Sequence, residues 1–175
     1  MTLLKKKYGD FLRQQCDNYE IPYKICSGII QIETTYRKRY FRICEYVVLM
    51  ISIVLNLLLK RPIKNYTIGI CQVGISTILS YYGKNTYQHL EKINRLSFCD
   101  AYNIMKAIYY KNNILVFCYR ISCICGKSYF EKYSESQQAQ IVGEEYNGKY
   151  LYGLRLQALV EDMLRDEGVS YPNKG

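Results

Sequence analysis

The sequence predicts an all-α fold with at most minimal β structure, and three observations carry that expectation. Apolar residues recur at three- and four-residue intervals in several separate stretches, Ser-led capping signals stand ahead of two of them, and no series of alternating residues suggests a sheet. The chain of 175 residues is long enough to bury one core without disulfide or metal staples, and with 49% hydrophobic residues and only 3 prolines it reads as globular. No Pro-rich or Ser/Thr-rich linker divides it, so one domain over residues 1–175 is expected.

Pro22 suits a first helical position, having no N–H to leave unpaired, and opens a helix expected to run to Thr34. Val47 to Leu59 is nearly all apolar, interrupted by Ser52 and Asn56 and stopped by Lys60, Arg61 and Pro62. At about 13 residues it falls short of the ~20 that span a bilayer, so a buried helix is expected, with a membrane surface or partner protein as the alternative at 47–59. Ile75, Ile78, Leu79 and Tyr82 share a helix face that ends at Gly83. Ser97 and Asp100 stand at capping-box spacing before a helix carrying Ile104, Met105 and Ile108, which Asn112 and Asn113 are expected to interrupt. Ile114 to Ile124, closed by Gly126, reads as a central buried helix. Ser134 and Gln137 repeat the capping box, and Leu156, Leu159, Val160, Met163 and Leu164 mark the last helix, ended by Gly168. The tail from Val169 reads as loose.

Glu33 is the residue with the most chemistry. Ile25, Cys26, Gly28, Ile29, Ile30 and Ile32 precede it, so a lone acid sits at the C-terminal end of an apolar helix. Desolvation and the negative end of the helix dipole both favour its neutral form, which a general acid needs near neutral pH. Gly69-Ile70-Cys71-Gln72-Val73 then forms a turn before the next helix, and Tyr146-Asn147-Gly148 forms a corner at the end of the Ser134 helix. Singly, each admits a plain structural reading: a solvated last-turn acid, a helix-entry turn and a common Asn-Gly turn.

In this order the three stretches resemble the lysozyme-like catalytic core of the lytic transglycosylases and goose-type lysozymes. The resemblance covers about residues 21–164, with an inserted segment at about 37–66 carrying the apolar helix. It implies a lysozyme-like helical domain that cuts the glycan strands of peptidoglycan between MurNAc and GlcNAc, with Glu33 catalytic. It also implies that Gly69, Ile70, Gln72 and Val73, with Thr34 beside the acid, line the sugar cleft. Tyr146 would hydrogen-bond near the carboxyl, and Asn147 would hold the corner or a sugar substituent. Cys71 stands where the family often has Met, and the 38 residues between Glu33 and Gln72 exceed the usual connection.

Between Tyr36 and Tyr66 the only acid is Glu45, where goose-type lysozymes would carry assisting aspartates. An inverting hydrolase needs a second carboxylate to activate water, whereas a transglycosylase manages with one glutamate. The sequence therefore favours transglycosylation over hydrolysis, with Glu144 and Glu145, read as solvated, the residues that would rescue a hydrolase. No metal or organic cofactor is implied. Two non-enzymatic readings stand beside this one: a lysozyme-like glycan- or protein-binding module, and a basic nucleic-acid binder.

The formal charge of +9 implies an anionic partner, which peptidoglycan, nucleic acid or acidic lipid would each satisfy. Twenty tyrosines could stack on bases or sugars, but the basic residues form no long tail, so the nucleic-acid reading rests on composition alone. The eight cysteines lie mostly in apolar helical stretches and read as small reduced core residues, while His89 is the sole histidine, which argues against zinc. The N-terminus, MTLLKKKYGDFLRQQC, lacks the apolar run and cleavage site of a Sec signal. Action in the periplasm or at the wall would then require non-Sec delivery, or membership of a longer exported chain.

Overall fold

The computed structural model describes residues 3–36, 39–83, 92–126 and 132–167. Helices dominate: α1 (Leu3–Asn18), α2 (Tyr23–Tyr36), α3 (Arg39–Leu59), α4 (Ile75–Tyr81), α5 (Phe98–Lys106), α6 (Tyr110–Cys125), α7 (Glu135–Asn147) and α8 (Tyr150–Asp166). Four two-residue strands, β1 (Ile63–Lys64), β2 (Thr67–Ile68), β3 (Val73–Gly74) and β4 (Lys92–Ile93), complete the described elements, so the fold class is all-α. The expected loose tail from Val169 and the sole histidine, His89, lie outside the described residues.

The chain forms two compact units, one from Met1–Ile32 together with Ile121–Gly175, the other from Glu33–Arg120. In the first unit α7 and α8 form an antiparallel pair that glycine makes possible. A Cβ on Gly143 would lie 2.8 Å from the Gly153 Cα, and one on Gly153 would lie 2.6 Å from the Gln140 carbonyl oxygen. Ser134 begins α7 with the expected capping box, its hydroxyl accepting from Gln137 N–H, and Gly148 ends it in the left-handed conformation at φ 72°. The N-terminal helices join the same unit: the Arg13 guanidinium lies 4.3 Å from the Tyr23 ring centroid, and Lys24 pairs with Glu167 at 2.7 Å. Ile25, Ile29, Val142, Leu156 and Val160 are buried in it.

The second unit holds both ladders. β1 pairs antiparallel with β4, Ile63 opposite Ile93, and β2 pairs antiparallel with β3, Ile68 opposite Val73. Its core includes Leu49, Ile68, Ile75, Ile78, Leu79 and Ile104, all buried. Ser97 begins α5 with the reciprocal bonds to Asp100 that the sequence predicted.

Two expectations are corrected. The Val47–Leu59 helix is neither 13 residues long nor buried. It is the C-terminal part of the 21-residue α3, within which Phe41–Leu59 has a mean hydropathy of 2.0 yet is only 17% buried. The helix extends backward through Arg42 and Glu45 because those residues are good helix formers. Only a narrow stripe, Leu49, Ile53 and Asn56, turns into the unit. The break near Asn112 and Asn113 is also displaced: α5 stops at Lys106, and both asparagines lie inside α6. Asn113 tolerates the helix interior because its amide is engaged elsewhere.

Candidate functional site

Glu33 occupies the last turn of α2, as expected, and is 9% exposed, with Thr34 beside it half-buried. The apolar run before it forms the helix; the Arg42 guanidinium, one turn into α3, donates to the Glu33 carbonyl at 3.2 Å and ties the two helices. Chemically this offers a carboxyl largely withdrawn from water, next to a cation on the backbone side.

The Gln72 turn is in the same unit as Glu33 and is a closed hairpin. Gly69, Ile70, Cys71 and Gln72 form the four-residue loop between β2 and β3. Two of them take left-handed backbone conformations, Gly69 at φ 78° and Gln72 at φ 53°. A side chain at 69 would collide with the Asn113 amide, so glycine is required by space as well as by φ. The Gln72 amide is buried and turns inward: Nε2 donates to the Gly69 carbonyl at 2.8 Å, and Oε1 accepts from Thr67 Oγ1 at 2.9 Å. Ile70 is half-buried and Val73 buried.

Asn113, which sequence reasoning passed over as a helix breaker, braces this loop from α6. Fully buried, it accepts from Cys71 N–H at 2.8 Å and donates to the carbonyls of Ile68 at 3.0 Å and Ala107 at 3.1 Å. Asn65 does the same for α4. Its Oδ1 accepts from Ser76 N–H at 2.9 Å and its Nδ2 donates to Ser76 Oγ at 2.8 Å, capping a helix whose own N-cap is Gly74. The sequence signal for Asn113 was its place directly before the apolar run Ile114–Ile124; a polar residue buried there needs partners.

Tyr146 and Asn147 belong to the other unit, at the end of α7, Tyr146 half-buried and Asn147 exposed. Gly148 N–H closes the corner on the Glu144 carbonyl at 2.7 Å. Glu144 and Glu145 are half-buried, and Glu144 accepts from Gln140 at 2.8 Å. In the second unit Tyr81 packs edge-on against Tyr82 and Tyr119, at centroid distances of 5.0 and 5.4 Å. Burial, then Tyr81 and Tyr102, raise the Tyr82 phenol above its ordinary pKa.

None of the eight cysteines forms a disulfide. Cys16, Cys26, Cys71 and Cys118 are buried as small core residues, whereas Cys44, Cys99 and Cys123 are exposed. Among the described residues no group of three or more His, Cys, Asp or Glu side chains is placed to hold a metal. Comparison of the chain with protein-family models, curated proteins and solved structures gave no match.

Proposed function

We propose that the chain is a peptidoglycan lytic transglycosylase that uses Glu33 as its sole general acid and base, acting in the periplasm or at the cell wall. The observation that carries the reading is the burial of Glu33 in the last turn of an apolar helix, which withdraws the one acid of that segment from bulk water, as a general acid in a substrate cleft requires. The acid protonates the oxygen between MurNAc and GlcNAc, and the C1–O bond breaks. The resulting carboxylate takes the proton of the MurNAc 6-hydroxyl as that oxygen bonds to C1, giving a 1,6-anhydro end without added water. The braced hairpin of Gly69, Ile70, Gln72 and Val73, in the same unit as Glu33, supplies a rigid rim for the glycan, with Thr34 as a further contact.

Purified sacculi test this directly. Wild-type protein is expected to release soluble muropeptides with anhydro ends by mass spectrometry, and Glu33→Gln to release none while keeping its circular dichroism. Reducing ends in place of anhydro ends would move the assignment to a lysozyme-type hydrolase; release unchanged in Glu33→Gln would remove Glu33 from the chemistry. A second reading, a glycan- or protein-binding module without catalysis, draws on one observation: both polar ends of Gln72 are spent inside its own turn. It requires sacculus binding by wild-type protein with no product.

A further inference from the structure

We infer that the outward face of α3 is a membrane-docking surface that lies flat on an anionic bilayer, its apolar side chains in the headgroup and acyl boundary. The inference is independent of Glu33 chemistry. Val47, Ile51, Val54 and Leu58 form one stripe at helical spacing, 53%, 55%, 47% and 72% exposed. Val48 and Met50 widen it, at 47% and 41%. A helix that mates with one partner helix needs a single seam, whereas here nearly the whole arc outside the Leu49, Ile53 and Asn56 stripe is apolar. Lipid is the solvent that suits such an arc.

The fold rules out a simple crossing. Phe41–Leu59, at 19 residues, is the one described helix long and apolar enough to span a membrane. Yet Met1–Ile32 before it and Ile121–Gly175 after it pack into one unit, joined by the Lys24–Glu167 pair at 2.7 Å. A single crossing would place the halves of that unit on opposite sides. The helix is also held to protein along its inner stripe: Asn56, fully buried, donates to the carbonyls of Arg61 at 2.7 Å and Asn94 at 3.1 Å and accepts from Leu96 N–H at 2.8 Å.

Charge selects an anionic surface. In sequence, Arg37 and Lys38 precede the helix, Arg39 and Arg42 lie in its first turn, and Lys60 and Arg61 follow it. Lys60, Arg61 and Arg95 are exposed, and Lys60 and Arg95 line a cavity of about 540 Å³ with Leu57 and Phe98, the last 82% exposed. The acid in that cavity, Asp100, is buried and engaged by the Ser97 N–H and hydroxyl, whereas the cavity's two cations are exposed. Apolar area plus a basic cluster is the pair of signals that stable interfacial binding requires.

The full chain is floated with vesicles of phosphatidylcholine alone and of phosphatidylcholine mixed with phosphatidylglycerol. Wild-type protein is expected to float with the mixed vesicles, and these should slow alkylation of the exposed Cys44 on α3. The double variant Val47→Asp/Ile51→Asp, at exposed positions, should lose partitioning by about a hundredfold while keeping its circular dichroism. Lys60→Glu/Arg61→Glu should weaken binding to the mixed vesicles by about tenfold or more. Glu33→Gln should float as wild type whatever its effect on glycan cleavage. No flotation, or flotation unchanged by the aspartates, overturns the inference. Vesicle-free self-association abolished by the aspartates, without flotation, overturns it in favour of a second copy, and resistance to alkaline carbonate overturns it in favour of a spanning helix.

Discussion

Two buried asparagines organise the second unit, and the sequence showed them only as a blemish in an apolar run, Asn56, and a helix break, Asn113. Asn56 fastens the end of α3, and Asn113 fastens the hairpin loop, each by three short hydrogen bonds to backbone groups, two of the three lying 38 or more positions away in sequence. Such partners are invisible to periodicity, which sees neighbours along one helix only. Asn113→Leu keeps volume but strands Cys71 N–H and two carbonyls; it is expected to cost about 2–4 kcal/mol in urea unfolding. It should also loosen the loop, so under the proposed function release of muropeptides from sacculi should fall more than the stability loss alone explains. Cys125 yields a second expectation. Burial first, then Cys16 and Glu145, push its thiol from 9.0 to about 12. Below pH 9 both folded and unfolded chains keep that proton and stability is intact. As pH rises from 9.0 toward about 12 only the unfolded chain releases it, so the urea midpoint should fall, less steeply in Cys125→Ser. At pH 8 iodoacetamide should label Cys44, Cys99 and Cys123 well before Cys125, followed by peptide mass spectrometry.

Helix identities were readable where local chemistry sets them. Ser97 with Asp100, and Ser134 with Gln137, are complete within four residues, and both capping boxes formed as expected. The α5–α6 break was misplaced because Asn113, a poor helix former by propensity, is held by tertiary bonds that override it. The length of α3 was underestimated because Arg42 and Glu45 interrupt the apolar run without interrupting the helix. Its burial was overestimated because hydropathy does not distinguish a core from an uncovered face. The two faces should separate cleanly by mutation. Leu49→Ala and Ile53→Ala, at fully and nearly fully buried positions, should each cost about 2–5 kcal/mol, whereas Val47→Asp and Val54→Asp should leave the thermal midpoint in solution close to wild type.

Across the whole molecule, the all-α class followed from composition and pattern, while the division into Glu33–Arg120 and a unit built from both flanking stretches did not. No linker or composition shift marks it, since the chain passes between units inside continuous helices, at Ile32 in α2 and at Arg120 in α6. Of the candidate site, Glu33, Gly69 and Gln72 were legible as motifs, but the framework that holds the loop was not. A chain ending at Arg120 should leave Tyr8–Ile32 exchanging its amide hydrogens freely, because α7 and α8 are missing; protection there would show that α1 and α2 stand alone. The same discontinuity bears on biosynthesis. Ile32 and the end of α8 at Asp166 are separated by residues 33–166, which a ribosome at ~5–20 residues per second takes roughly 7–27 s to make. For that interval the nascent Ile25–Ile32 run has no α8 to cover it. A chaperone or an export receptor that recognises greasy, unfinished segments thus has a timed opening, which shuts when the last helix emerges.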